Sequence, residues 1–128
     1  MKLGYVILYV PDVAATVSFY ERAFGIAPRF VHESGYAEME TGATALAFAA
    51  EALVSATVDG YRRNRPGTEP AGAEVGLVSE DVASGFARAV AAGAVPVVEP
   101  MQKPWGQTVS YVRDLNGFLV EICSKVGL

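Results

Sequence analysis

Apolar and β-branched residues run from Leu3 to Val10 until Pro11 ends them, the pattern of a strand. Asp12 follows where a helix N-cap belongs. In the next stretch, VAATVSFYERAFG, Val13, Val17, Tyr20 and Phe24 recur at three- and four-residue steps. That spacing predicts a helix with one apolar face, closed by Gly25. Three short strands are predicted next, over 28–32, 36–40 and 44–49, with turns at Ser34-Gly35 and Thr41-Gly42. The same order then returns. Glu74 to Val78 reads as a strand, and Asp81 caps a second helix whose apolar face is Val82, Phe86, Ala89 and Val90 and which Gly93 ends. Strands follow over 95–99, 107–112 and 118–123, the last pair joined at Asn116-Gly117.

The repetition extends to individual letters. Asp12-Val13-Ala14 and Asp81-Val82-Ala83 stand 69 positions apart, and Gly25 and Gly93, like Pro28 and Pro96, stand 68 apart. The chain therefore reads as one α+β domain of two tandem β-α-β-β-β modules, about 1–50 and 73–126. The connecting segment, about 51–72, has room for a short helix within 53–61. It ends in the Pro- and Gly-rich RRNRPGTEPAG, an exposed linker whose Arg62, Arg63 and Arg65 are solvated.

Strand alternation sorts side chains by face. Tyr5, Ile7 and Tyr9 oppose Val6, Leu8 and Val10; Glu74, Gly76 and Val78 oppose Val75 and Leu77; Leu119, Glu121 and Cys123 oppose Phe118, Val120 and Ile122. The wholly apolar faces are expected against the helices, which leaves Tyr5, Tyr9, Glu74 and Glu121 on the other side.

Composition narrows the classes. With 52% hydrophobic and 19% charged residues the chain has enough apolar side chain for a packed interior. A net charge of -4 is a poor match for nucleic acid, whose binding rests on neutralising phosphates. The single Cys123 can form neither an internal disulfide nor a thiolate zinc site by itself. The first apolar run is too short for a membrane helix or a signal peptide, so a cytoplasmic protein without membrane contact is expected. Among the motifs that carry chemistry, neither a phosphate loop nor a nucleophile elbow is present.

YVPDVAATVSFYERAFG resembles the opening of the vicinal oxygen chelate superfamily, which holds glyoxalase I, extradiol dioxygenases and bleomycin-resistance proteins. VSYVRDLNGFLVEI resembles its closing hairpin, an Asp-x-Asn-Gly-aromatic turn leading into a strand that carries a glutamate. The resemblance implies a cupped mixed sheet with helices on its outer face and a ligand cup within. The metal enzymes of that superfamily take ligands from the first and last strand of each module, which maps onto Tyr5, Ala47, Glu74 and Glu121. Only two of these coordinate a metal well, and transition-metal sites need three or four ligands with imidazole prominent. The one histidine, His32, falls on a strand that does not supply a ligand, and reads as a surface residue.

The expected cup therefore binds an organic guest. Its lining is assigned to Tyr5, Tyr9, Phe48, Glu74, Trp105, Tyr111 and Glu121. Trp105, in KPWGQ, offers a flat stacking surface. Glu74 and Glu121, which the resemblance brings onto adjacent strands, are expected to repel and to favour a cation or hydrogen-bond donor between them. The leading expectation is a metal-independent binding protein, without cofactor, that sequesters a planar or cationic antibiotic-like compound. The alternative is a metal-dependent lyase, isomerase or dioxygenase with Mg²⁺ or Mn²⁺ on Glu74 and Glu121. A third reading is a metal-free enzyme with Glu121 as general base. A homodimer is expected, since a half-open cup leaves apolar edge to cover.

Overall fold

Asp12 begins the first long helix as its sequence position requires. In the computed structural model, which describes residues 1–127, its carboxylate accepts a hydrogen bond from the Ala15 amide at 3.0 Å. The chain divides into two compact units at Asn64–Arg65.

The first unit runs β1 (Tyr5–Val10), α1 (Val13–Phe24), β2 (Pro28–His32), β3 (Tyr36–Met39), β4 (Ala45–Ala50) and the single-turn helix α2 (Glu51–Val54). Gly25, at φ +68°, closes α1. The sheet order is β1-β4-β3-β2, with β1 parallel to β4 and the other pairs antiparallel. Helix α1 lies on β3 and β4. Its Tyr20 meets Phe48 with ring centroids 4.8 Å apart, both fully buried, and Leu8, Val10 and Met39 are buried in the same unit. Burying one such aromatic side chain contributes about 1.5–3 kcal/mol.

The second unit repeats this order: β5 (Glu74–Val78), α3 (Val82–Ala91), β6 (Val95–Gln102), β7 (Thr108–Arg113) and β8 (Leu119–Cys123). Asp81 caps α3 by accepting from the Ser84 amide at 3.0 Å. The sheet order β5-β8-β7-β6, with β5 parallel to β8, matches that of the first unit element for element. The duplicated β-α-β-β-β pattern read from the sequence is thus the fold of each unit.

Three local expectations change. Strand β6 continues to Gln102, because its ladder resumes beyond an irregularity with Met101 opposite Val109 and Gln102 opposite Thr108. The short helix begins at Glu51, directly after β4, and ends well before Tyr61. The Pro- and Gly-rich stretch is tied down at its middle: Arg113 Nη2 donates to the carbonyls of Arg65 at 3.1 Å and Thr68 at 2.6 Å. None of the helices among the described residues is long and apolar enough to cross a membrane.

Candidate functional site

In the second unit α3 covers one face of the sheet, where Val120 and Ile122 are buried. Alternation leaves Glu74, Tyr111, Glu121 and Cys123 on the opposite face. Tyr111 stands directly across from Glu121, Glu121 across from Gly76, and Val78 across from Cys123. The Tyr111 hydroxyl donates to Glu121 Oε1 at 3.4 Å.

Four titratable groups thus share one patch. Burial raises the affinity of Glu74 for its proton, and a hydrogen bond to the Glu121 carboxyl and the charge of that group raise it further. Burial and the nearby Glu121 and Glu74 charges likewise push up the Tyr111 phenol. The Cys123 thiol is pushed up to about 11 by burial and by its contact with Glu121. It is therefore protonated at neutral pH and is neither a nucleophile nor a thiolate ligand.

Trp105 borders this patch through Gln107. Its indole Nε1–H donates to Gln107 Oε1 at 2.9 Å, and the Gln107 amide donates to the Ser124 carbonyl at 3.0 Å and hydrogen-bonds Cys123. Trp105 is 56% exposed, and Lys103 Nζ stands 5.9 Å from its ring centroid. An exposed tryptophan held by a side-chain bond presents a fixed flat surface.

The other expected lining residues lie in the first unit. Tyr5 is exposed on β1. Tyr9 shares its face and is half-buried, edge-on to Tyr61 at 5.0 Å. Phe48 does not line this face, a correction to its expected place. Its register opposite Leu8 and Ala37 turns the ring into the core under α1, where it is 0% exposed. His32 ends β2, exposed, with Nδ1 2.6 Å from Ser34 Oγ in the following turn, beside an open hollow of about 300 Å³ at the start of α1. Two residues missed from sequence belong to the open face of the first sheet, Tyr36 and Glu38. The Tyr36 hydroxyl donates to Glu38 Oε2 at 3.0 Å. Their signal was the alternation Tyr36-Ala37-Glu38-Met39, in which the first and third residues carry polar groups and Ala37 and Met39 are buried.

Whether these side chains suit a metal is a question of donors. Of the four positions that the resemblance assigns, Ala47 has no donor atom. The register fixes it as the counterpart of Glu121, since Ala47 faces Ile7 on β1 as Glu121 faces Gly76 on β5. Among the described residues no group of three or more His, Cys, Asp or Glu side chains is placed to hold a metal ion. Taken unit by unit, the Tyr5 phenol in the first and the two carboxylates Glu74 and Glu121 in the second, without imidazole or thiolate, do not fit a transition ion.

A family model described as Glyoxalase/Bleomycin resistance protein/Dioxygenase superfamily matches residues 2–122. No curated protein matches the chain. Among solved structures, a glyoxalase-related enzyme from Fulvimarina pelagi is similar at 25% identity and TM-score 0.78, covering 98% of this chain and 88% of that one. TioX from Micromonospora sp. ML1 is 26% identical at TM-score 0.71, over 97% of this chain and 98% of its own. A bleomycin resistance determinant encoded on the transposon Tn5 shares the fold at 21% identity and TM-score 0.64, over 97% and 98%.

Proposed function

The chain belongs to the glyoxalase/bleomycin resistance protein/dioxygenase superfamily, and we propose that it acts there as a metal-independent binding protein for a planar or cationic organic molecule. The observation that carries this reading is the Glu74–Glu121 pair with Trp105 beside it. Burial and the neighbouring Glu121 carboxyl raise the proton affinity of Glu74, so the pair favours a positive charge beside it. An ammonium or amidinium group can take the place of the shared proton, while the exposed indole stacks on the flat part of the guest. The short donor set supports the reading too, because it leaves hydrogen bonding and stacking as the means of grip. The bleomycin-resistance name within the superfamily suggests an antibiotic-like guest.

Thermal melts with bleomycin, ethidium and benzamidine, each with and without EDTA, test this. A guest at 100 times its Kd adds about 2.7 kcal/mol, so at least one compound should raise the Tm, and EDTA should not reverse the rise. Affinity for that cation should also increase from pH 4 to pH 7, since burial and Glu121 raise the proton affinity of Glu74 and the pair gains negative charge as that proton leaves. Stabilisation by Mg²⁺ or Mn²⁺ instead, with a stoichiometric ion in protein purified without added metal, would overturn the proposal in favour of a metal-dependent enzyme.

A further inference from the structure

The open face of the first sheet carries a second tyrosine–carboxylate pair. In the second sheet Tyr111 on β7 faces Glu121 on β8, which faces Gly76 on β5. In the first, Glu38 on β3 faces Ala47 on β4, which faces Ile7 on β1. The sheets therefore correspond position for position, Ala47 with Glu121 and Glu38 with Tyr111. The carboxylate that β8 provides is missing from β4, and the direct cross-strand neighbour of the vacated position provides one instead. Tyr36, two residues earlier on the same face, donates to it at 3.0 Å.

The surroundings of Glu38 suit an organic cation. Phe30 faces Glu38 from β2, and its ring lies 5.9 Å from that of Tyr36. Tyr5 projects from β1 on the same side of the sheet, more than half exposed. The Arg29 guanidinium forms a long ion pair with Glu38, but its hydrogen bonds go elsewhere. Arg29 bonds Glu40 through Nε and Nη2 and the Gly42 carbonyl through Nη2 at 2.8 Å, and its Nη1 is 3.9 Å from Glu38 Oε1, outside hydrogen-bonding range. The Glu38 side chain is only 15% exposed. A carboxylate that has lost most of its water, holds one neutral hydrogen bond and one long ion pair, and is flanked by aromatic rings attracts a further cation more strongly than one in solvent.

We propose that Glu38 is a second guest-binding carboxylate, which takes a protonated amine or amidine against Tyr5, Phe30 and Tyr36. This rests on the reading of the open sheet faces as guest-binding surfaces. The test is a titration of the isotope-labelled full chain with benzamidine and with its neutral isostere benzamide, followed by NMR. Benzamidine should shift the side-chain signals of Tyr5, Tyr36 and Glu38, and benzamide should do so at least about tenfold more weakly, a difference of 1.4 kcal/mol. Glu38→Gln should weaken the benzamidine response at those signals by about tenfold while the responses at Glu74, Glu121 and Trp105 persist. If benzamidine moves only the signals of Glu74, Glu121 and Trp105, this inference falls and the proposed function stands. If it moves neither set, both fall. Should Glu38→Gln not fold, the titration of the native chain decides between these outcomes.

Discussion

Gly117 turns the closing hairpin at φ +87°, and a Cβ there would meet the Arg65 carbonyl oxygen at 2.5 Å and Arg113 Nη2 at 2.6 Å. Arg113 also donates from Nε to the Gly117 carbonyl at 2.8 Å, so the turn, the arginine and the Arg65 backbone are mutually fixed. Buried Asp114 completes the turn by accepting from the Asn116 and Phe118 amides. Gly117→Ala combines a left-handed backbone cost of about 1–2 kcal/mol with a clash against backbone, so we expect a loss of at least about 2 kcal/mol in urea unfolding. The Asn116-Gly117 turn was legible in the sequence; the role of Arg113 was not, because its acceptors lie 45 and 48 positions upstream. Glu74 makes a different prediction. Its proton affinity is raised in the fold, so its favourable contribution is complete below the unfolded value near 4.5 and is lost as pH rises through the folded value. Glu74→Gln, a neutral mimic, should therefore be more stable than the parent at pH 7, by less than about 1 kcal/mol given the exposure of the site, and indistinguishable from it at pH 4. Paired urea titrations at the two pH values check the sign.

At the scale of elements, each long helix starts on an aspartate whose carboxylate holds the amide three residues on. Asp12→Ala and Asp81→Ala should each cost about 1 kcal/mol, read from chemical denaturation of the single variants. Those caps were legible because they depend on neighbours in sequence. The faces of β1, β5 and β8 were legible for a related reason: polar and apolar residues alternate along them, so one marker orients the strand. Strand β4 has no marker. Ala45 to Ala49 are buried on both sides, and a run without polar residues reads the same in either register. Only the pairing with β1 and β3 decides that Phe48 belongs to the core and Ala47 to the open face, which is why Phe48 was misplaced and Glu38, the residue across from Ala47, was overlooked.

For the whole molecule, the duplication was the most legible feature, since helix caps, helix ends and prolines recur at a nearly constant separation. The character of the sheet edges bears on whether copies of the chain associate. Strand β6 closes one sheet and exposes Val95, Val97 and Met101, apolar side chains that water solvates poorly. It also carries Pro96 and Pro100, each of which removes a backbone donor, so this edge is ill suited to extending a ladder into another chain. Association through it would bury side chains rather than add a strand. On that basis we propose a homodimer that covers this edge: light scattering at micromolar concentration should return twice the 13.5 kDa of one chain. Val97→Lys places a charge in the middle of the covered surface without touching the core, so it should shift the mass toward one chain while the melting temperature of the monomeric fold is kept. A parent protein that scatters as 13.5 kDa would sink the dimer, and a Val97→Lys dimer as tight as the parent would place its contact elsewhere.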